Sequence, residues 1–516
     1  MSVSVRPGSI AAKGVLVKGF PLHASRRPDA VAVICETESI TYGELDERSS
    51  RLAQVLRDTG AVAGDRIGVM LPNSIEFIEC LAATSKLETA SLTINWHLRS
   101  DELSWILADS DVRALVTHRD LADVVEQAAT VHDCAVVWIG DDYEERLAAA
   151  PSDPVEYRWP SSWPVIYTSG TTGRPKGVVH PAMAAAETIE RSHEALAALW
   201  GYRESDVHLV AGPLYHAGPS GYCNNTLYVG GTVVIMDGWD AMEFLRQVES
   251  HRVTTTFLTP AHFIRLLEVP AAERARFDVS SLRHVIHAGA PCPRNVKVAM
   301  IDAFPHAEIW ELYGASEGGA TRVSPQEWME RPGTVGRPWP GVDIRILDPE
   351  TLRPVATGVD GLVYVSPSHG RFHYHRDDDK TNDAWHDDAF TVGDIGHLDE
   401  DGYLYLTDRR SDMVIRSGVN IYPREVEDVL YAHDQVVDCA VFGIPDPRDG
   451  ERLMAVVETR TPVDAHELGA WCSARLDPFK VPSRFEFCDT LPRDLNGKVL
   501  KRRLRDEHWA QLDRNI

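Results

Sequence analysis

Tyr167-Thr168-Ser169-Gly170-Thr171-Thr172-Gly173-Arg174-Pro175-Lys176-Gly177 is the stretch on which the reading of this chain turns. Small hydroxyl residues and glycines run ahead of a lysine. Glycine lets backbone N–H groups approach an anion closely. Ser and Thr add hydroxyl donors, and Lys adds a compact positive charge suited to phosphate. In chemical terms this is a phosphate loop. It is not the Walker A pattern, because the spacing is Gly170-x-x-Gly173-x-x-Lys176 and no Ser or Thr follows the lysine.

Working outward, the N-terminal part alternates strand and helix signals. Residues 31–35 read as a strand. Thr41-Tyr42-Gly43-Glu44 has the form of a capping box. Leu45, Leu52, Val55 and Leu56 follow at helical spacing and end near Gly60. Residues 66–71 and 114–117 read as strands, and 75–87 and 101–108 as helices. This alternation predicts α/β layers built on a largely parallel sheet.

Beyond residue 410 the texture changes. Asp408-Arg409-Arg410-Ser411-Asp412 is a polar run that suits an exposed linker. After it come short predicted strands at 440–442 and 454–458, a helix at 423–432, and the basic segment 498–503. The expectation is therefore a large N-terminal domain of layered α/β subdomains, residues 1–409, followed by a small, mobile α+β domain, residues 410–516.

With 516 residues, the chain is too long for one ordinary core. Its 44% hydrophobic and 25% charged content is that of a globular protein. A net charge of −25 argues against a nucleic-acid surface. No apolar run of about 18 residues suggests a transmembrane helix, and the start lacks a secretory core. The eight cysteines are scattered, with no Cys-x-x-Cys, which suggests reduced thiols and a cytoplasmic protein.

Five motifs occur in one order: residues 167–177, Tyr313-Gly314-Ala315-Ser316-Glu317, Val392-Gly393-Asp394, Asp408-Arg409 and Asn496-Gly497-Lys498. Along nearly the whole chain this resembles the adenylate-forming superfamily of acyl-CoA synthetases, peptide-synthetase adenylation domains and beetle luciferases. The resemblance implies ATP and Mg²⁺ as requirements and CoA as co-substrate. It implies that Thr168, Ser169, Gly170, Thr171, Thr172 and Lys176 hold the β- and γ-phosphates. Glu317 is implied as the Mg²⁺ ligand, a role that suits a hard carboxylate oxygen. Tyr313, beside Gly314 and Ser316, corresponds to the residue that stacks on adenine, and Gly289-Ala290-Pro291 to the segment on its other face. Asp394 would accept from the ribose hydroxyls, and Arg409 would reach ribose or phosphate. Val392 stands where the family usually has Thr.

Lys498 corresponds to the catalytic lysine that bridges substrate carboxylate and α-phosphate. His216 corresponds to the aromatic position at the mouth of the acid pocket, with Gly218 and Tyr222 on the helix behind it. Ser411 falls at the hinge, where Asp or Lys is usual, and Gly418 in the segment lining the pantetheine tunnel. Arg416 stands where the family is apolar or lysine.

Tyr222, Asn224 and Asn225 make the pocket stretch more polar than a fatty-acyl site, which points to a short, polar or aromatic acid. No Asp accompanies residues 215–218, so an α-amino acid is disfavoured. The expected activity is an ATP-dependent acid:CoA ligase that makes an acyl-adenylate and then a thioester. Two alternatives stay open: a diazotase that activates nitrite for transfer to an aryl amine without CoA, and an enzyme that loads a carrier protein. A nucleotide-binding regulator without chemistry fits less well, because both Glu317 and Lys498 are present.

Overall fold

In the computed structural model the described residues are 18–129, 134–151, 153–156, 165–168, 175–180, 186–367, 370–417, 419–494 and 497–509. They form two compact units: residues 1–257 with 370–381, and residues 258–369 with 382–516.

The first unit holds two sheets. One runs, in spatial order, His373–Tyr374, Lys176–Val179, Val165–Thr168, Ala90–Thr93, Arg66–Met70, Val112–His118 and Ala135–Ile139. From Val165–Thr168 onward its pairings are parallel. The phosphate-loop side is antiparallel. The other sheet places Val31–Cys35, Thr232–Ile235, Val207–Val210 and Thr255–Leu258 in parallel, with Glu38–Thr41 antiparallel at its edge. Parallel strands need crossover connections, and the helices between them supply these.

The capping box forms as expected. Glu44 N donates to Thr41 Oγ1 at 3.2 Å, and Thr41 N donates to Glu44 Oε2 at 2.8 Å. The helix it starts, Tyr42–Asp58, buries Leu45, Leu52, Val55 and Leu56 in one core with Ile67, Val69 and Val116. That apolar stripe at helical spacing fixes which face turns inward.

The second unit pairs His284–His287 with Glu308–Ala315 in parallel, then continues antiparallel through Gly318–Val323, Thr334–Pro338, Leu404–Arg409, Asp394–Leu398 and Gly361–Ser366. A further sheet near the C-terminus is dominated by one hairpin, Val436–Asp446 with Gly450–Thr459. Both strands are far longer than the sequence suggested. Their continuous apolar runs are buried on both faces, so the alternation that would have marked their full length is absent.

The polar run 408–412 is also less exposed than expected. Asp408 and Arg409 close the strand Leu404–Arg409, and within the run only Arg410 and Ser411 are exposed. Asp408 accepts from the backbone N–H groups of Arg409 at 2.7 Å and Arg424 at 3.0 Å. Burial pushes its carboxyl up to about 6. Among the described residues no helix is long and apolar enough to cross a membrane.

Candidate active site

Each unit carries part of the residue set singled out in the sequence. In the first unit, Val165–Thr168 and Lys176–Val179 form a hairpin, with Tyr167 opposite Gly177 and Thr168 opposite Lys176. The loop residues Ser169, Gly170, Thr171 and Thr172 lie outside the described residues. The hairpin frame is held from behind. Tyr167 Oη donates to Asp109 at 2.5 Å, and Trp105 meets the Tyr167 ring edge-on at 5.8 Å. His375 N donates to the Gly177 carbonyl at 2.8 Å, and its ring Nε2 lies 2.7 Å from the Asp109 carbonyl. Lys176 Nζ sits 5.2 Å from the centre of the Tyr374 ring, within reach of a cation–π contact.

His216 precedes the helix Ala217–Val229. The loop leading to it is fixed by side chains far away in sequence. Asn73 Nδ2 donates to the carbonyls of Gly212 and Met236 at 3.1 and 3.0 Å, and Asn73 Oδ1 accepts from Leu214 N at 2.8 Å. Thr93 Oγ1 donates to the Tyr215 carbonyl at 2.9 Å. Burial pushes the His216 imidazole down to about 4, so it is neutral near pH 7. A neutral ring beside Tyr215, centroids 4.4 Å apart, suits packing and orientation better than proton transfer. Behind it, a Cβ on Gly218 would stand 2.8 Å from the Phe257 ring. Tyr222 stacks on that same ring at 5.1 Å.

The second unit brings more of the set together. Tyr313 lies near the end of the strand Glu308–Ala315, at a bulge between Tyr313 and Gly314. Ser316 and Glu317 then form the two-residue tip of the hairpin to Gly318–Val323. Bulges re-aim side chains at strand ends. Tyr313 Oη donates to Asp394 Oδ2 at 2.7 Å, and Arg409 Nε donates to Asp394 Oδ1 at 3.1 Å. The antiparallel register sets Asp394 opposite Arg409. Where the family usually has Thr before the glycine, Gly393 N instead donates to Thr391 Oγ1 at 3.0 Å, so a threonine one position earlier makes a local contact.

Lys498 keeps solvent contact and forms no salt bridge among the described residues. Its ammonium pKa is lowered, first by the positive Arg409 nearby and second by partial desolvation, while Asp494, Asp412 and Asp394 oppose the shift. The turn that carries it is tightly bound. Lys498 N donates to Asp494 Oδ1 at 2.9 Å, and Asp494 N donates to the Lys498 carbonyl at 2.9 Å. Arg493 donates to the Gly497 carbonyl and pairs with buried Asp438. Gly497 has φ +79°, and a Cβ there would collide with Ala261 and stand 3.3 Å from Thr259 Oγ1. Gly289, at φ +88°, lies on the same threonine, its Cβ position 3.7 Å from Thr259 Cγ2. The lysine turn and the 289–291 segment therefore meet around Thr259.

Ser411 is exposed in the turn after Arg409. Gly418 lies outside the described residues. Arg416, the departure from an apolar position, is engaged locally: its guanidinium donates to Asp449 and to the Phe479 carbonyl, each at 3.0 Å. Sequence reasoning missed the supports Asn73, Thr93, Asp109, His375, Asp438 and Arg493.

The residues fit an adenylate ligand. An aromatic ring, an acceptor carboxylate and two cations gather in one unit around small-residue backbone. Among the described residues no cluster of three or more His, Cys, Asp or Glu could hold a metal ion by itself. A Mg²⁺ ion at Glu317 would thus need phosphate oxygens to complete its shell, which is how this cation commonly binds in phosphoryl-transfer sites.

Comparison with known proteins gives the family. The family model described as AMP-binding enzyme matches residues 20–370, and that of the AMP-binding enzyme C-terminal domain matches residues 425–498. A fatty acid–[acyl-carrier-protein] ligase, ScoC, of Streptomyces coeruleorubidus is 32% identical, over 97% of this chain and 98% of that protein. A feruloyl-CoA synthase of an Amycolatopsis species is 34% identical, over 94% and 98%. The structure of o-succinylbenzoate CoA synthetase from Bacillus subtilis with its acyl-adenylate intermediate superposes with TM-score 0.83, at 27% identity over 94% and 97% of the two chains. The chain belongs to the AMP-binding enzyme family, with both of its parts present. It is an AMP-forming ligase that uses ATP.

Proposed function

We propose that this protein joins a short, polar or aromatic carboxylic acid to AMP and then passes the acyl group to CoA. The observation that carries the reading is the cluster of Tyr313, Asp394, Arg409 and the Lys498 turn within one unit. A carboxylate is a poor electrophile until its oxygen becomes part of a mixed anhydride. Its attack on the α-phosphate builds negative charge, which fixed cations stabilise without reorganising.

In this reading Lys498 bridges the incoming carboxylate and the α-phosphate. Arg409 reaches phosphate or ribose, and Asp394 exchanges one of its present donors for a ribose hydroxyl. Tyr313 offers its ring face to adenine, with Gly289, Ala290 and Pro291 opposite and Gly314 and Ser316 flanking. Thr168 to Thr172 and Lys176 hold the departing pyrophosphate. Mg²⁺, when bound at Glu317, supplies charge neutralisation on the phosphates. His216 orients the acid as a neutral ring. Residues from 410 onward act as a lid hinged at Ser411, and Gly418 leaves room for pantetheine. The free cysteines, among them buried Cys80, Cys223, Cys292, Cys439 and Cys472, suit the reducing cytoplasm.

One observation favours a second acceptor. ScoC, similar over nearly the full chain, is named as a ligase to acyl-carrier protein, so a carrier-bound thiol is the alternative to free CoA. The test is pyrophosphate release from Mg-ATP with short, aromatic and fatty acids and with nitrite, each with and without CoA. Release that needs an organic acid, with a thioester detected by mass, supports the proposal. Release with nitrite and an aryl amine, indifferent to CoA, overturns it in favour of a diazotase.

A further inference from the structure

A buried ion pair in the second unit has no part in the site described above. Lys297, on the helix Arg294–Ala303, is completely buried, and its Nζ donates to Glu311 Oε2 at 2.6 Å. Glu311 is buried on the strand Glu308–Ala315. The Trp328 ring, itself buried, covers the ammonium, with its centre 4.8 Å from Nζ. His287 stands opposite Glu311 in the parallel register, and its Nε2 lies 3.7 Å from the same carboxylate oxygen. Burial first, and the Lys297 charge second, hold this imidazole well below its usual range, so the ring is neutral and the carboxylate is left to Lys297. Replacing a buried ion pair with apolar side chains is often neutral or stabilising, so stability alone does not account for this one.

The pair joins two particular pieces of backbone. His287 ends the strand that leads into Gly289, Ala290 and Pro291, and the helix bearing Lys297 begins at Arg294, just beyond that segment. Lys297 N donates to the Pro293 carbonyl at 3.0 Å, so the lysine lies in the first turn after it. Glu311 precedes Tyr313 by two positions in a regular register, which puts both on the same face of the strand. The pair thus ties the 289–291 segment to the strand that carries Tyr313, the two sides assigned to adenine. A charge-assisted hydrogen bond fixes distance and direction, whereas apolar burial is non-directional.

We infer that the Lys297–Glu311 pair sets the width of the adenine slot, which makes both of them positioning residues for ATP. The inference rests on the ligase reading above, in which adenine lies between Tyr313 and residues 289–291. Neither side chain touches the nucleotide; each acts through the backbone it tethers. The base is remote from the α-phosphate, so its contacts hold ground state and transition state alike. Losing them weakens ATP binding without slowing the chemical step.

The test uses the full-length enzyme and two probes, Mg-ATP and inorganic tripolyphosphate, with Kd read by calorimetric titration beside thermal unfolding. Lys297→Met leaves a buried carboxylate unpaired and should lower the melting temperature. The double variant Lys297→Met with Glu311→Leu removes both charges and should melt near wild type. Its Kd for Mg-ATP should nonetheless rise about tenfold, the upper worth of one aromatic stacking contact. Its Kd for tripolyphosphate, which carries no base, should stay unchanged. A role confined to stability predicts instead that ATP binding recovers together with the melting temperature. Wild-type ATP affinity in the double variant therefore overturns the inference, as does an equal loss for tripolyphosphate. Tyr313→Ala separates this from the reading beneath it. If that variant also binds ATP like wild type, adenine lies elsewhere and both fail; if it loses ATP affinity while the double variant does not, only the inference fails.

Discussion

Replacing Lys498 with alanine tests the proposed chemistry most directly, because the side chain makes few contacts that would give it a structural role. The side chain keeps solvent contact and has no salt bridge among the described residues. Arg409 repels its charge, as the lowered pKa records. Removing it should therefore change stability by no more than about 0.5 kcal/mol, as for exposed positions free of special contacts. The turn survives, since Asp494, Arg493 and Gly497 hold it by contacts that do not involve the Lys498 side chain. If the ammonium stabilises charge that develops only as carboxylate attacks the α-phosphate, its loss costs about 10²- to 10³-fold in rate, or roughly 3–4 kcal/mol of barrier. The assay is acid-dependent exchange of labelled pyrophosphate into ATP, beside ATP binding and thermal unfolding. Exchange should fall by that factor while ATP affinity and melting temperature stay near wild type. Transfer from a chemically supplied acyl-adenylate to CoA should be much less affected. Unchanged exchange, or an equal loss in both half-reactions, would refute the role assigned to Lys498.

Three further outcomes are expected. Glu317→Ala should raise the Mg²⁺ concentration needed for half-maximal pyrophosphate exchange severalfold, and a wild-type Mg²⁺ dependence would remove Glu317 from the metal site. Asp438→Ala leaves the half-buried Arg493 without its carboxylate; breaking a fully buried pair costs about 3–5 kcal/mol, which is the upper bound here. Both melting temperature and exchange rate should drop, and retention of both would mean that the lysine turn is held by other contacts. Stability should also fall as pH drops from about 6.5 toward 4. His216 and His208 are held at about 4 and about 3 in the fold, but titrate near 6.5 when unfolded. In that window the unfolded chain takes up protons that the folded chain refuses, so the stability present above 6.5 is lost. Urea unfolding at pH 7.5 and 5 measures it, and a slope that His208→Gln leaves unchanged would exclude His208 as a source.

Much of this was readable without coordinates wherever the signal is local. The capping box at Thr41 and Glu44 and the helix register through Leu45, Leu52 and Leu56 each depend on neighbours a few residues away. The motif set from Thr168 to Lys498 was equally legible, because each motif is short and its residue types suit phosphate, ribose or carboxylate. The long hairpin Val436–Asp446 with Gly450–Thr459 was not, because strands buried on both faces lose the alternation that marks their ends.

What the chain alone supplied, then, is the set of residues proposed for the chemistry: the lysines, carboxylates and aromatic ring, in order. What only the tertiary structure decided is how they are held. Tyr313 and Asp394 are 81 residues apart and share a hydrogen bond. Asn73 fixes the approach to His216 from 141 residues away, and Asp438 anchors the lysine turn through Arg493. Such partners follow no period, since a hydrogen bond between distant segments requires only that the fold bring donor to acceptor.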